Sequence, residues 1–445
     1  MTNEKKQTAK TETIAAAGAL AAASAAVFNP AMVHAQGSGV IKVGLLGCGG
    51  RGNGAIRQNL AADPGIEIVA LADLFEKKTR STRDGLMKDD KFKGRIKVND
   101  DHLFSGFDCH EKLAACEADL LLMATAPAFR GRQMMAAVNA GKHIFTEKPV
   151  ATDVAGCKLV MEASKIAAQK KLAIVCGTQR RHEASRVELM KRIHDGAIGE
   201  LVGGQCYWVG SGIWYRGWEE GMSELEWQCH NWYHFTWLSG DQICEQHIHN
   251  IDVMNWCFQG PPKAFMAVGG RGCRDYSAQA KEVCKKFNNG SEEGWEKYNG
   301  DIWDHVFAEL EYPNGARALS FSGHGPGTGR SGEKIVGTKG TSSCTNEIAG
   351  EHPWKYEGKS VNGMDQEHID LVASIRAGTP LNEGQRIAES TLTAIGARIA
   401  ATTGRNFDWN WLLNASKQDL VPKHELMKPG KGFFNKINNG AEPLI

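Results

Sequence analysis

The sequence has almost no net charge and no long hydrophobic run after its first 35 residues. Its 52 lysine and arginine residues nearly balance 51 aspartate and glutamate residues, for a formal net charge of +1. This balance provides no bulk electrostatic attraction to nucleic acid or to an anionic membrane. Without a long apolar run, no membrane span is predicted after the leader. The composition, with 42% hydrophobic residues, is that of a globular protein.

The twelve cysteines contain no CxxC pair, and several lie in apolar runs, as Cys176 and Cys257 do. In such surroundings a thiol behaves as a small hydrophobic group. The sequence therefore favours buried free thiols, with a disulfide framework as the alternative.

Residues 1–35 have the pattern of an export leader. Lysines precede an alanine-rich apolar run over 14–28, and small residues near Ala35 provide a cleavage site. The run is too short for a membrane anchor. We expect export, to the periplasm, although the leader lacks the arginine pair of the twin-arginine route. A disordered tail on a cytoplasmic protein is the alternative.

From residue 36 short apolar runs alternate with helical stretches, which predicts a doubly wound α/β domain over 36–180. Strands are predicted at 40–46, 66–72, 119–124, 143–146 and 172–176, with helices at 55–61, 130–140 and up to 170. A parallel sheet explains the continuous apolar character of these short strands, because both of its faces are covered.

Beyond residue 180 apolar and polar residues alternate over longer stretches, which predicts an α+β domain with a mostly antiparallel sheet over 181–385. Pro313, Asn314 and Gly315 provide a hairpin signal. Strands are predicted at 201–209, 264–269, 306–312 and 316–321, a surface loop at 276–299, and helices at 365–377 and 385–403. A C-terminal helix and tail occupy 386–445.

A glycine-rich motif directly follows the first predicted strand and opens a helix. It consists of Gly47, Gly49, Gly50, Arg51 and Gly52. Such glycines form a tight turn and let the backbone approach a pyrophosphate, which binds at the helix N-terminus. Asp73 ends the second strand, where a carboxylate accepts hydrogen bonds from the adenosine ribose and repels a 2′-phosphate. These features predict NAD as the cofactor, with NADP less favoured.

The segment Gly141–Pro149 resembles the AGKHV-x-x-EKP signature of the Gfo/Idh/MocA oxidoreductase family. The resemblance covers essentially the whole mature chain. Further matching segments are 177–181, 196–200, 245–252 and 379–384. It implies a Rossmann domain and a C-terminal domain on a large open sheet that often mediates oligomerisation, here a homodimer or homotetramer. It also implies a sugar or polyol substrate.

The resemblance assigns catalysis to Lys148, beside the nicotinamide and the substrate hydroxyl. A lysine there can hydrogen-bond the reacting oxygen and stabilise developing negative charge. In the family the Lys-Pro peptide bond of this signature, here Lys148–Pro149, is often cis. Glu147 in the same turn, with Thr125 and Pro127 after the preceding strand, is predicted to contact the cofactor.

A second group is Glu245, His249 and Asp252. On one helix these spacings place all three side chains on the same face. His249 is placed to accept the substrate hydroxyl proton as general base. Glu245 stands where the family pattern D-x-x-x-H has aspartate, and Asp252 is predicted to bind substrate. Neighbouring histidines suggest metal binding as the alternative, but no tetrahedral ligand spacing emerges, so no metal is predicted.

Three arginines are further candidates for substrate binding. Arg180 and Arg181 follow the last predicted strand of the first domain, and Arg130 occupies a position where many relatives carry histidine. Seven of the twelve tryptophans lie between Trp208 and Trp256. Aromatic faces of this kind stack on sugar rings, so we expect one or two of them to touch a ligand.

Two enzymatic functions remain open. The first is an NAD(P)-dependent dehydrogenase that moves hydride between nicotinamide and a secondary hydroxyl of a sugar, sugar derivative or inositol. The second is an NAD-dependent glycoside hydrolase that oxidises C3 transiently, eliminates the aglycone and restores the sugar. A catalytically silent binding protein is disfavoured, because Lys148 and His249 are both present.

Overall fold

A computed structural model describes residues 39–325 and 329–422. The predicted leader and the end of the tail lie outside these residues. Within the described part, no helix is long and apolar enough to cross a membrane. The same part contains all twelve cysteines, which are free thiols and mostly buried.

The first sheet has six parallel strands in the order β3-β2-β1-β4-β5-β6. Its strands are β1 (Ile41–Leu46), β2 (Ile66–Asp73), β3 (Leu103–Ser105), β4 (Leu120–Met123), β5 (His143–Thr146) and β6 (Ile174–Cys176). The strands are rich in buried isoleucine, valine and leucine because helices cover both faces. This sheet confirms the predicted doubly wound fold.

Five α-helices accompany this sheet. They are α1 (Gly50–Ala62), α2 (Glu76–Met87), α3 (Cys109–Ala115), α4 (Pro127–Asn139) and α5 (Val154–Lys170). The strand order reverses between β1 and β4. Open α/β sheets bind their ligands at such a switch point, outside the carboxyl ends of the strands.

The second sheet has nine strands in the order β14-β13-β12-β11-β7-β10-β9-β8-β15. They are β7 (Leu201–Gly210), β8 (Ala264–Gly270), β9 (His305–Glu311), β10 (Arg317–His324), β11 (Arg330–Gly337), β12 (Gly340–Ser342), β13 (Glu347–Gly350), β14 (Trp354–Lys355) and β15 (Phe407–Asp408). Only the β7–β10 pair is parallel. The predicted α+β class with a large, mostly antiparallel sheet is confirmed.

Helices pack on one face of this sheet, α10 against β7 and β11 and α13 against β8 and β9. The helices of this half are α6 (Ala184–His194), α7 (Glu224–His230), α8 (Thr236–Ser239), α9 (Gln242–Glu245), α10 (Ile248–Cys257), α11 (Ser277–Phe287), α12 (Gly363–Arg376) and α13 (Gly384–Thr403). Short 3-10 helices occupy Gln179–His182, Trp232–His234 and Trp295–Asn299. The opposite face carries alternating residues such as Tyr207, Phe321 and Val268.

Two predictions about local structure were wrong. The stretch 276–299 is not a loop, because α11 runs through it and buries Ala280, Val283 and Cys284 on one face. Glu245 and His249 do not share one continuous helix, because α9 ends at Glu245 and α10 begins at Ile248. The two side chains still reach one site.

Candidate functional site

The glycine-rich turn after β1 tolerates no side chain at two positions. Gly47 has a φ of +96°, and a Cβ there would lie 2.6 Å from the carbonyl carbon of Ala124. A Cβ at Gly52 would lie 1.9 Å from the carbonyl oxygen of Gly47. The motif therefore brings the start of α1 against the β1–α1 turn and the end of β4, as dinucleotide-binding turns require.

The N-terminus of α1 is open towards a cleft. A Cβ at Gly49 or Gly50 would meet nothing within 4 Å, and both residues line the cleft. No side chain caps the helix, and its first turn contains no acidic residue. Its amide groups and its dipole are thus available to an anion such as a pyrophosphate.

Asp73 lies at the carboxyl end of β2, beside the same cleft. Its Oδ2 accepts a hydrogen bond from the Cys48 amide (2.7 Å), and its Oδ1 accepts one from the Phe75 amide (3.0 Å). These bonds fix the carboxylate next to the turn. Each carboxylate oxygen can accept a further hydrogen bond, so ribose hydroxyls remain suitable partners.

The cleft has a volume of about 580 Å³, in the range of cofactor sites. Its Rossmann wall includes Gly49, Asp73 and Thr125, and Trp214 and Trp232 from the second half of the chain line it as well. Open helix amides, the Asp73 carboxylate and flat aromatic rings fit a dinucleotide. The prediction that one or two tryptophans touch a ligand stays a prediction, with these two as candidates.

The turn that follows β5 is tied to the glycine-rich motif. Arg51 Nε donates to Glu147 Oε1 (2.5 Å), and the Lys148 amide donates to Glu147 Oε2 (3.3 Å). A Cβ at Gly177 would lie 2.5 Å from Glu147 Oε2, so only glycine leaves room for this carboxylate. Glu147 is therefore held by the chain itself. The Lys148–Pro149 peptide bond is cis.

Arg130 supports this turn from inside the protein. Its guanidinium is buried and donates to the carbonyl oxygens of Glu147, Pro149 and Thr125. Burial lowers the pKa of Arg130 to about 10, which still leaves it charged near neutral pH. Its donors are directed at the main chain rather than at an open site. Pro127 begins α4 and is buried.

Lys148 and Glu245 form a nearly buried ion pair at the end of β5. Lys148 Nζ donates to the main-chain oxygen of Glu245 (2.7 Å) and to its Oε1 (3.1 Å). Only 11% of the Lys148 side chain and 10% of the Glu245 side chain are exposed. An ammonium group has three donors, so one remains for a substrate oxygen.

His249 belongs to the same cluster. Burial, followed by the charges of Lys148, Arg180 and Arg186, holds the pKa of His249 well below its usual value. Its Nδ1 is buried without a hydrogen-bond partner among the described residues. The ring is therefore neutral near pH 7 and can accept a proton. The Trp208 ring lies 6.3 Å from it, centroid to centroid.

Asp252 and Arg181 bind each other rather than facing this cluster. Arg181 donates from Nε to Asp252 Oδ2 (2.8 Å) and from Nη2 to Oδ1 (3.0 Å). Arg386 and Ser390 also donate to Asp252 Oδ1. With these donors on a buried carboxylate, Asp252 connects α10 to the 3-10 helix Gln179–His182 and to α13. The prediction that both bind substrate stays untested, and the geometry favours a structural role.

Arg180 has a different position from its neighbour. Its guanidinium pairs with Glu333 on β11, and 13% of its side chain is exposed. Its charge acts on the His249 ring. Arg180 therefore lies close to the cluster of Lys148, Glu245 and His249, as does Arg130, on which the charge of Glu245 acts.

No local sequence pattern singles out two further side chains beside this cluster, Tyr233 and His324. The Tyr233 hydroxyl lies 3.0 Å from His324 Nε2, and the charge of Glu245 acts on both side chains. They come from a 3-10 helix and from the end of β10, so no local spacing connects them. Among the described residues, no group of histidine, cysteine and acidic side chains is arranged to hold a metal ion.

Two family models match this architecture. Residues 41–177 match the oxidoreductase family with an NAD-binding Rossmann fold, and residues 187–343 match the Gfo/Idh/MocA C-terminal domain. The chain belongs to the Gfo/Idh/MocA family of oxidoreductases. Membership agrees with the NAD site predicted from the glycine-rich motif and Asp73.

Individual relatives are distant. An inositol 2-dehydrogenase of Salmonella typhimurium is 25% identical over 218 residues, 48% of this chain and 54% of that protein. The chain thus spans about half the length of these curated relatives. An aldose-aldose oxidoreductase of Caulobacter crescentus, solved with glycerol, has a TM-score of 0.60 at 16% identity, covering 83% of this chain and 99% of that one. A scyllo-inositol dehydrogenase of Lactobacillus casei, solved with NAD(H) and scyllo-inositol, has a TM-score of 0.58 at 16% identity and the same coverage.

Proposed function

We propose that this protein is an NAD-dependent dehydrogenase that oxidises a secondary hydroxyl of an inositol-like polyol or a sugar. The observation that carries the proposal is the convergence of Lys148, Glu245 and His249 at the end of β5, where the adjacent Glu147 pairs with Arg51 of the cleft wall. Relatives named inositol 2-dehydrogenase, and solved neighbours that act on polyols and aldoses, support this substrate class.

The cofactor would be held by the amides at the start of α1, by Asp73 at the ribose and by the loop containing Thr125. When bound, its nicotinamide ring supplies the hydride acceptor. Lys148 would donate its remaining N–H to the substrate oxygen and stabilise the negative charge that develops there. His249, neutral at pH 7, would accept the hydroxyl proton. Glu245 holds Lys148 in place.

Fixed geometry supports this assignment of roles. The Lys148 main chain is anchored through Glu147, which Arg51 and Arg130 hold on both sides. The Lys148 side chain is anchored through Glu245. A hydrogen-bond donor held in this way needs little reorganisation during the reaction.

The test is to mix the full-length protein with NAD and a panel of inositols and sugars, and to follow the near-ultraviolet absorbance of reduced nicotinamide. A dehydrogenase accumulates reduced cofactor with at least one polyol. Release of an aglycone from a glycoside without net reduction would instead favour the redox-cycling hydrolase and contradict the proposal. Replacing NAD by NADP tests the preference predicted from Asp73.

We also propose that the open face of the second sheet joins copies of this chain into a dimer or tetramer. Tyr207, Phe307 and Phe321 form a continuous aromatic row on this face, with ring centroids 5.1 and 4.6 Å apart. Val268 on the same face is 64% exposed. Such patches on soluble proteins commonly mark interfaces. Sedimentation velocity of the wild type and of Phe321→Glu tests this, because the charged variant should sediment as a monomer.

A further inference from the structure

Part of the wall of the cofactor cleft comes from the second half of the chain. The cleft is lined there by Trp214, Arg216, Cys229 and Trp232, in addition to the glycine-rich turn of the Rossmann half. All four belong to one segment, residues 213–232, which we call the strap. A cofactor bound at the start of α1 therefore lies in a cleft that the strap helps to form.

Hydrogen bonds hold the main chain of the strap in place. His234 Nε2 lies 2.7 Å from the carbonyl oxygen of Trp214. At Arg216 the amide donates to Asn231 Oδ1 (2.8 Å), and the carbonyl oxygen accepts from Trp227 Nε1 (3.1 Å). His234, Asn231 and Trp227 are themselves buried. Arg216 thus extends from a fixed backbone, which reduces the entropy that is lost when its side chain binds a ligand.

The Arg216 guanidinium is held in place but is not neutralised. It stacks on the Trp214 ring, 4.2 Å from the centroid, and its Nη1 donates to the carbonyl oxygen of His230 (3.4 Å). Glu219 acts on it through charge, but Arg216 forms no ion pair with an acidic side chain among the described residues. A guanidinium has five N–H donors in a planar fork, so most of them remain for an anion such as a phosphate.

A second unpaired cation lines the same cleft from the Rossmann half. Lys78, in the first turn of α2, lies over the Phe75 ring, 4.7 Å from the centroid, and has no ion pair within the part of the chain that the structure describes. The His230 ring of the strap meets the same Phe75 ring edge-on, at 6.1 Å. Burial, followed by the charges of Lys78 and Arg216, lowers the pKa of His230 to about 4. Both halves of the chain thus bring positive charge to this cleft, which favours an anionic ligand.

We infer that Arg216 binds the pyrophosphate of NAD from the strap, while the amides at the start of α1 bind it from the Rossmann half. This inference rests on the proposed function, which requires NAD in this cleft. The amides donate to some of the phosphate oxygens, and the planar guanidinium pairs with others. Arg216 is thus a cofactor-binding residue supplied by the second half of the chain. NAD should leave slowly, because its dissociation breaks contacts to both halves.

The test compares Arg216→Gln with Arg192→Gln in the full-length protein. Arg192 also stacks on a tryptophan, 4.6 Å from the Trp354 centroid, but does not line the cleft. Titration calorimetry measures the affinity for NAD, for ADP-ribose and for adenosine, which has no phosphate. Arg216→Gln should bind NAD and ADP-ribose about 10- to 100-fold more weakly, the usual effect of losing a hydrogen bond to a charged group. Its affinity for adenosine should stay unchanged, and Arg192→Gln should bind all three ligands as the wild type does.

Two further readouts distinguish a phosphate contact from a structural role. Arg216→Lys keeps the charge and should recover part of the affinity that Arg216→Gln loses. Salt should weaken NAD binding less in Arg216→Gln than in the wild type, because one screened ionic contact is gone. An unchanged NAD affinity in Arg216→Gln, or an equal loss for NAD, ADP-ribose and adenosine, would overturn the inference.

These binding measurements need no turnover, so they separate this inference from the proposed function. A wild type that binds NAD through Arg216 but oxidises no polyol refutes the proposed function and leaves the Arg216 contact intact. A protein that oxidises a polyol while Arg216→Gln binds NAD as tightly as the wild type refutes the contact alone. A wild type that binds neither NAD nor ADP-ribose refutes both.

Discussion

Replacing Lys148 by methionine should affect stability and catalysis to different extents. The ammonium group lies 3.1 Å from Glu245 Oε1, and both side chains are about 90% buried. Methionine has similar length but no charge, so the variant leaves a buried carboxylate without its partner. Breaking such a pair costs about 3–5 kcal/mol of stability. Loss of the group that stabilises the reacting oxygen should lower kcat by about 10²–10³-fold.

The double variant Lys148→Met/Glu245→Gln separates the two effects. It removes the orphaned charge and should recover most of the lost stability, but kcat should stay low. Stability is measured by thermal and denaturant unfolding followed by tryptophan fluorescence, and kcat by reduction of the nicotinamide. If Lys148→Met is as stable as the wild type, the pair is not buried as described. If the double variant regains wild-type kcat, Lys148 does not act on the substrate.

Three further predictions follow from the same geometry. Gly52→Ala, whose new Cβ would lie 1.9 Å from the Gly47 oxygen, should abolish NAD binding in calorimetry, whereas Gly85→Ala, with no atom nearer than 3.9 Å, should not. His249→Asn should lower kcat by about 10²–10⁴-fold and leave NAD affinity intact; an unchanged kcat would exclude His249 as the base. Burial lowers the pKa of His247 to about 3, from 6.5 in the unfolded chain, so the unfolded state binds more protons between these values and acid destabilises the fold. Near pH 5 this effect of His247 should lower the free energy of unfolding by about 2 kcal/mol. The melting temperature of His247→Asn should therefore fall less than that of the wild type between about pH 7 and pH 5. An equally steep fall would contradict this.

The nucleotide-binding half was largely predictable because its signals are local. Apolar runs at 40–46 and 66–72 became β1 and β2 nearly residue for residue, since strands buried on both faces need continuous apolar side chains. Gly47 and Gly52 are required by contacts within one turn. Their roles therefore follow from spacing alone.

The second half was less predictable because its structure depends on distant pairings. β15 consists of two residues and joins the sheet only through β8, far away in sequence. The α11 helix did have a local signal in the spacing of Ala280, Val283 and Cys284, which the polar composition around it obscured. The break between α9 and α10 had no local signal in the sequence.

The candidate site shows the same division. Lys148 and His249 were found through motifs, but what each side chain contacts was not. Arg130 and Arg181 look in the sequence like exposed cations suited to a ligand, whereas the structure buries both against partners of the chain itself. Tyr233 and His324 meet only because a 3-10 helix and a sheet strand end at the same point. Contacts of this kind, between residues far apart in the sequence, depend on tertiary packing.

The most direct test of the central claim is a single-turnover reaction of the full-length protein loaded with NAD. On mixing with a polyol that it oxidises, reduced nicotinamide should form in one turnover, and deuterium at the reacting carbon should slow that step. Lys148→Met and His249→Asn should bind NAD normally and form reduced nicotinamide far more slowly. Failure to bind NAD, or absence of reduced nicotinamide with every inositol and sugar tried, would contradict the account.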